Sequence, residues 1–139
     1  MSNRTSLALS KDEGITWKVE NEPHLLLGPK GTFDGGMTGS ICILREPEKK
    51  EPWRMWYTAG ERYIMLGGHQ RGIVHIGLAT SRDGLSWRRH EKPALSPRLD
   101  KVAPFEAVVS KPCVLKLNGA YHMWLSVYQV GKNRNGYRL

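Results

Sequence analysis

The sequence lacks most of the features that identify a protein class at once. Its 139 residues include only two cysteines, which excludes the disulfide framework of a small secreted domain. No apolar run is long enough to cross a membrane as a helix, and residues 1–20 lack the apolar core of a secretion signal. The sequence therefore predicts one modest cytoplasmic domain with no membrane partner.

Signals for cofactor or metal binding are also missing. Gly35 and Gly36 do not open a helical pattern, so they do not form a phosphate-binding loop, and the histidines are too dispersed for a metal site. Cys42 and Cys113 each lie in an apolar stretch and are predicted to be buried free thiols. The sequence predicts no cofactor and no metal.

Positive charge is in excess, but it is not concentrated. The net charge is +8 and the isoelectric point is about 9.7, which would suit an anionic partner. The basic residues are scattered, however, and we find no zinc finger, RNA-recognition signature or basic helix. We therefore predict a generally basic surface and no nucleic-acid partner, and keep a salt-sensitive polyanion surface as an alternative.

Two short segments predict the same kind of tight turn. Residues 81–87 read Ser-Arg-Asp-Gly-Leu-Ser-Trp, and residues 10–17 carry a version of the phrase with one more residue before the glycine. Asp and Gly favour the backbone angles of short hairpins, and the Asp side chain can bind local amides. Asp12 and Asp83 are therefore assigned to turn structure.

The two turns belong to a longer repeat. Further residues recur in the same order about seventy residues apart: Trp17 and Trp87, Pro23 and Pro93, Phe33 and Phe105, Cys42 and Cys113, and Met55-Trp56 and Met123-Trp124. Repetition at a fixed period indicates one structural unit used more than once.

Each repeat reads as four short strands with no helix. β-branched and aromatic runs predict strands at 5–10, 15–20, 40–44, 53–58, 74–80, 85–90, 112–117 and 121–127. Glycine-rich residues 28–39 and residues 60–72 are predicted to be loops, and Pro23 is predicted to interrupt the chain. Because such a unit cannot bury both faces alone, we predict an all-β, propeller-like stack of four-stranded antiparallel blades.

The Ser-x-Asp-Gly-x-x-Trp turn, the Phe-Asp at 33–34 and the Arg-Met-Trp-Tyr at 54–57 together resemble the five-bladed β-propeller glycosidases. That superfamily includes arabinanases and β-xylosidases, and invertases and levansucrases. The resemblance implies a single propeller-like unit of about two blades: an outer half-blade at 5–20, a complete blade at 40–91 and an inner half-blade at 112–139. It further implies that the chain is a fragment of a longer protein or a homo-oligomer, since a family member carries about five blades.

The same resemblance implies a carbohydrate partner and a set of site residues. Asp34 and Glu106 precede the innermost strands of successive blades, so they are candidates for catalytic base and acid. His69 and Arg71 lie in a loop expected at the same edge, and Trp53 could stack on a sugar, so these three are candidates for substrate binding. Structural readings stay open: the two acids could cap loop amides, and Trp53 could belong to the core or rim.

Two functions are compatible with these residues. The first is glycoside hydrolysis at a funnel completed by other chains or by further blades. The second is a non-catalytic carbohydrate-binding or structural propeller module. Whether the chain is an enzyme is therefore open, and the carboxyl groups of Asp34 and Glu106 would have to lie within about 10 Å of each other in a hydrolase.

Overall fold

The computed structural model describes residues 5–66, 69–99, 105–130 and 135–138. Every regular element in this part of the chain is a β-strand, which confirms the all-β prediction. The strands are β1 (Thr5–Leu9), β2 (Lys18–Leu25), β3 (Met37–Arg45), β4 (Trp53–Leu66), β5 (His69–Ser81), β6 (Arg88–Arg89), β7 (Phe105–Leu117), β8 (Ala120–Val130) and β9 (Asn135–Arg138).

The turn at residues 10–17 forms as the sequence predicts. The Asp12 carboxylate accepts the Thr16 amide at 3.0 Å, and the Ser10 hydroxyl accepts the Gly14 amide at 2.8 Å. The indole of Trp17 then donates to the Gly14 carbonyl at 2.8 Å. Hydrogen bonds from the Thr16 and Ser10 side chains and the Thr16 amide lower the pKa of Asp12 to about 2, so the charge that holds the turn is present at neutral pH.

The second turn uses the same chemistry. The Asp83 carboxylate accepts the amides of Leu85 and Ser86, both at 2.8 Å, and those bonds lower the pKa of Asp83. Gly84 has a φ of +77°, which a glycine adopts without strain. Because the amides after Asp83 face its carboxylate, regular pairing with β5 begins only at Arg88. The predicted strand at 85–90 is therefore shortened to β6.

Strands β3, β4, β5 and β6 form a four-stranded antiparallel unit in sequence order, which we call the central sheet. Strands β7, β8 and β9 continue as a second antiparallel set, joined to β5 by the single parallel pair Val74–Val108. Within the described residues, strands β1 and β2 pair only with each other. The sheets do not close on themselves, so the propeller blades and their predicted boundaries stay a prediction.

Other strands pack on both faces of the central sheet, although Ile41 and Ile43 of β3, on the face of Tyr57, stay 40% and 43% exposed. Trp56 and Tyr57 are neighbours in β4, so their side chains point to opposite faces. On one face Tyr57 packs with Met55, Ala59, Ala79 and Leu25, the last residue of β2. On the other face Trp56 and Ile76 pack with residues of β7 and β8, namely Val109, Val114, Met123, Leu125 and Val127. The central sheet thus lies between the N-terminal hairpin and the β7–β8 hairpin.

The β4–β5 hairpin corrects the predicted loop at 60–72. Strand β4 continues to Leu66 and β5 begins at His69, and the two pair as far as Leu66–His69 after a register shift. Tyr63 and Ile64 favour extended backbone, and they outweigh the glycines around them. The prediction of a loop here was wrong.

Pro23 does not interrupt β2 as predicted. It lies inside the strand, opposite Ser6, and the register shifts on both sides of Ser6. A proline cannot donate to a ladder, but in the part of the chain that the structure describes β2 pairs with β1 alone, so its other edge needs no amide donors. The turn between β7 and β8 is formed by Asn118 and Gly119, with the positive φ values of +50° and +81° that a two-residue hairpin needs.

Equivalent residues of the two repeats differ in exposure. Cys42 and Trp56 face each other across β3 and β4, as Cys113 and Trp124 do across β7 and β8. Trp56 is 7% exposed and Trp124 is 54% exposed. Cys113 is also exposed, so the prediction of a buried thiol was wrong there. Cys42 receives the Val114 amide of β7 at 3.1 Å, whereas Cys113 has no corresponding strand over it in the described residues.

Candidate functional site

The candidate base Asp34 lies in a compact loop that folds against the central sheet. The loop is closed by its own backbone: the Gly28 amide donates to the Asp34 carbonyl at 3.0 Å, and the Thr32 amide donates to the Pro29 carbonyl at 3.1 Å. The Gly36 amide then donates to the Gly60 carbonyl at 3.0 Å. These bonds place the loop at the end of the sheet from which the β4–β5 hairpin extends.

The Asp34 carboxylate is surrounded by donors. Oδ1 accepts from the Thr32 hydroxyl at 2.9 Å, and Oδ2 accepts from the Tyr57 hydroxyl at 2.9 Å. The Arg89 guanidinium of β6 lies 3.4 Å from Oδ2. Since Asp34 is only 3% exposed, the carboxylate joins its loop to β4 and β6 and offers little surface to a substrate.

Gly28 shows how tightly this carboxylate is held. A Cβ atom at Gly28 would lie 2.0 Å from Asp34 Oδ1 and 2.5 Å from the Thr32 hydroxyl oxygen. The loop can therefore pass over Asp34 only with glycine at this position. The backbone itself closes that side of the carboxylate.

Tyr57 depends on the same contact. Burial, together with the charge of Asp34, raises the pKa of Tyr57 above its usual range, so the phenol stays protonated and donates. We expect Tyr57→Phe to lower the free energy of unfolding by about 1–3 kcal/mol, because the ring still fills its space while a buried carboxylate loses a donor. Urea denaturation measures the change.

A double-mutant cycle separates this bond from general packing. The losses of unfolding free energy caused by Asp34→Asn and Tyr57→Phe should be strongly non-additive. Once one change has weakened the bond between the two side chains, the other has little of it left to remove. Additive losses would contradict a direct contribution of the Asp34–Tyr57 bond to stability.

For the residues predicted to act together with Asp34, the structure describes the backbone positions but not the side chains. Glu106 lies inside β7, so the prediction that it precedes the innermost strand in a loop was wrong, and His69 and Arg71 lie inside β5. The parallel pair Val74–Val108 sets the starts of both strands, and with them these three backbones, toward one end of the sheet. Their side chains lie outside the described residues. The separation of the Asp34 and Glu106 carboxyl groups therefore stays a prediction.

The second repeat differs from the first at a position important to Asp34. Because Cys113 pairs with Trp124 as Cys42 pairs with Trp56, Leu125 takes the place that Tyr57 has in the first repeat. Leucine cannot donate to a carboxylate. The second repeat therefore has no phenol at the position that Tyr57 has in the first.

Trp53 lies at the opposite end of the central sheet, at the start of β4. The Arg45 guanidinium lies 5.4 Å from its ring centroid, and a Cβ atom at Gly84 would lie 3.1 Å from the ring. The ring therefore supports the turn at residues 81–87. The structure does not bring Trp53 together with Asp34.

A cluster around Glu46 was not predicted from the sequence. Glu46 follows β3 and is 4% exposed; its carboxylate accepts from Arg54 Nε at 2.9 Å, Lys116 Nζ at 2.6 Å and the Tyr121 hydroxyl at 2.6 Å. The Lys116 bond, followed by the Tyr121 bond, lowers the pKa of Glu46 to about 2. We call these four residues the Glu46 cluster; it connects the central sheet to β7 and β8.

The sequence carried one weak signal for this cluster. Glu46 directly follows β3, Arg54 lies at the start of β4, and Lys116 lies at the end of β7. An acid and two cations at strand ends can form ion pairs if those ends meet. The pattern needs the order of strands in space, which the sequence does not supply.

Within the described residues, no three His, Cys, Asp or Glu side chains are grouped so that they could hold a metal ion. The same part of the chain contains no helix of the length and hydropathy needed to cross a membrane. Comparison with models of known protein families gave no match, and comparison with curated protein sequences gave none either.

Proposed function

We propose that the chain supplies blades of a carbohydrate-binding β-propeller, completed by other copies of the chain, in which Asp34 is a structural residue. The observation that carries the proposal is a difference in burial. Apolar side chains of the central sheet are largely buried, whereas those on the outer sides of the β1–β2 and β7–β8 hairpins are exposed. The central sheet packs against neighbouring strands on both faces around Trp56 and Tyr57, as a blade inside a propeller would.

One face of β7 and β8 carries large apolar side chains that are exposed to solvent, as they would be on a blade without its neighbouring blade. Leu115, Leu117 and Trp124 are 47%, 45% and 54% exposed. In the first repeat, the equivalent face of β3 and β4 carries Cys42, Leu44 and Trp56, and it is covered by β7 and β8. A hairpin of the same kind from another copy would cover the flank in the same way.

The N-terminal hairpin offers a matching surface. Trp17 and Val19 are 63% and 62% exposed, whereas Trp87, the equivalent of Trp17, packs against the core of the central sheet. In a ring, β1 and β2 of one copy would complete the blade begun by β7 and β8 of the next. Head-to-tail contacts form a ring where the rotation from one copy to the next closes, and an open filament where it does not.

The carbohydrate part of the proposal rests on the resemblance to the propeller glycosidases. Binding is favoured over hydrolysis by the surroundings of Asp34, since a catalytic carboxyl group must reach the glycosidic bond. Both oxygens of Asp34 already accept hydrogen bonds from the protein. The hydrolytic alternative would need Asp34 to be released from Tyr57 and Arg89.

The assembly is tested by the solution mass. We expect light scattering to give a closed oligomer, a multiple of 15.7 kDa, and we expect Trp124→Glu to dissociate it because a buried charge would face the next blade. Leu85→Glu is the matched control, since Leu85 is 48% exposed in a turn outside the proposed contact. A monomeric wild type, or equal dissociation by both variants, would contradict the ring.

Carbohydrate recognition is tested separately, with arabinan, xylan and fructan oligomers. The expected result is binding without release of sugar, in wild type and in Tyr57→Phe. Hydrolysis that Asp34→Asn abolishes in a folded protein would establish the catalytic alternative. Failure to bind any neutral glycan would reject the carbohydrate assignment while leaving the assembly result unaffected.

A further inference from the structure

A groove rich in positive charge lies at the end of the central sheet opposite to the Asp34 loop. Its volume is about 410 Å³, and it is bordered by the β3–β4 connection, β4, β5, β6 and the turn at residues 81–87. The lining residues are Lys49, Lys50, Glu51, Arg54, Thr80, Arg82 and Arg88. We call this the cationic groove; five cationic side chains and one carboxylate line it.

Two of its arginines are held in place. Arg88 NH2 donates to Glu51 at 2.8 Å and lies 3.3 Å from the Thr80 hydroxyl oxygen. Arg54 is fixed through Nε by the buried carboxylate of Glu46. Because both guanidiniums keep further N–H groups, each can still donate to a ligand in the groove.

The remaining cations come from ordered turns. The connection that carries Lys49 and Lys50 is closed by a bond from the Glu46 amide to the Pro52 carbonyl at 2.7 Å and one from the Lys49 amide to the Glu46 carbonyl at 3.0 Å. Arg82 stands in the turn that Asp83 organises. In the described part of the chain the ammonium groups of Lys49 and Lys50 have no acidic partner, so their charge is available.

We propose that the cationic groove binds an acidic polysaccharide, one bearing sulfate or carboxylate groups, through Lys49, Lys50, Arg82 and Arg88. Fixed guanidiniums suit planar or tetrahedral anions, and the lysines add charge that adapts to spacing along a polymer. The anion site is inferred from the side chains that line the groove, whereas the choice of a polysaccharide as ligand rests on the carbohydrate function proposed above.

The lining favours a polysaccharide over a single-stranded nucleic acid. Proteins that bind single strands stack bases on aromatic side chains, and among the described residues no aromatic side chain lines the cationic groove. Trp53 and Trp87 are adjacent in sequence to lining residues, but the Trp53 ring lies against Arg45 and Gly84 and Trp87 packs against the core. Binding by charge alone, along a flexible acidic chain, fits the residues that are present.

The test compares dextran sulfate with uncharged dextran of the same length, by calorimetry or fluorescence anisotropy on the full chain. We expect dextran sulfate to bind, with affinity that falls steeply as salt increases, and uncharged dextran to show no binding at this groove. Lys50→Glu with Arg82→Glu should weaken binding by about tenfold or more, since each change removes an attraction and adds a repulsion.

The control is Lys11→Glu with Lys30→Glu, which changes the net charge equally at exposed positions outside the groove. A second test is Glu51→Gln, which removes the one carboxylate of the groove and should raise the affinity for dextran sulfate. Equal loss in the groove and control variants would overturn the proposal, because binding would then follow net charge. Tighter binding of double-stranded DNA than of dextran sulfate, lost in the groove variant, would overturn the choice of polysaccharide. Neither outcome depends on neutral-glycan binding.

Discussion

Gly77→Ala is expected to lower the free energy of unfolding by about 2–4 kcal/mol, a large share of the stability of a domain this size. Gly77 lies in β5 directly opposite Tyr57, and the phenol ring lies across it. A Cβ atom there would meet the ring at 2.3 Å. Because Tyr57 is fully buried and bonded to Asp34, the ring cannot move aside without breaking that bond.

Gly39 provides the matched control. It also lies in a strand of the central sheet, but a Cβ atom there would meet nothing within 4 Å. Gly39→Ala should therefore leave stability unchanged or raise it slightly, since alanine restricts the unfolded chain. Urea denaturation of the two variants compares the same chemical change with and without the clash. Equal effects would show that the Tyr57 ring is not confined as the structure has it.

Glu46→Gln is expected to lower the free energy of unfolding by about 1–3 kcal/mol, because the carboxylate accepts from two cations and a phenol. Lys116 and Arg54 are about one third exposed, so solvent moderates the loss. Glu48→Gln is the control: Glu48 lies 3.4 Å from the same Lys116 but is 59% exposed. A loss from Glu48→Gln as large as that from Glu46→Gln would contradict a special role for the buried carboxylate.

The Glu46 cluster also predicts a pH dependence. The pKa of Glu46 is lowered from 4.5 to about 2 in the folded chain, so its contribution is present above pH 4.5 and is lost as the pH falls toward 2. Wild-type stability should fall over this interval more steeply than that of Glu46→Gln. Parallel curves for the two proteins would contradict the assignment.

The sequence predicts local structure best where the determinants are close together. The turns at Asp12 and Asp83 formed as expected because each carboxylate binds amides within four residues of it. The repeat located most strands for a similar reason, since β-branched and aromatic runs are local signals. The predicted loop at 60–72 failed because the pairing of β4 with β5 outweighed the local glycines.

The candidate site was harder to predict because its chemistry depends on distant residues. The sequence predicts Asp34 as a candidate site residue, but its burial depends on Tyr57 and Arg89, which are remote in the sequence. The Glu46 cluster spans β3, β4, β7 and β8, and Lys116 and Tyr121 approach Glu46 only once the sheets meet. The repeat shows which residues are equivalent, but it does not show which member of each pair is buried.

The turns at Asp12 and Asp83 have a consequence for the order in which the chain folds. Their hydrogen bonds span at most four residues, so they close with little loss of chain entropy and need no distant partner. Each turn brings two strands together: β1 with β2, and β5 with β6. We therefore expect these turns, like the Asn118–Gly119 turn between β7 and β8, to form early in folding. Contacts between strands distant in sequence, such as β3 with β7, are expected to form later.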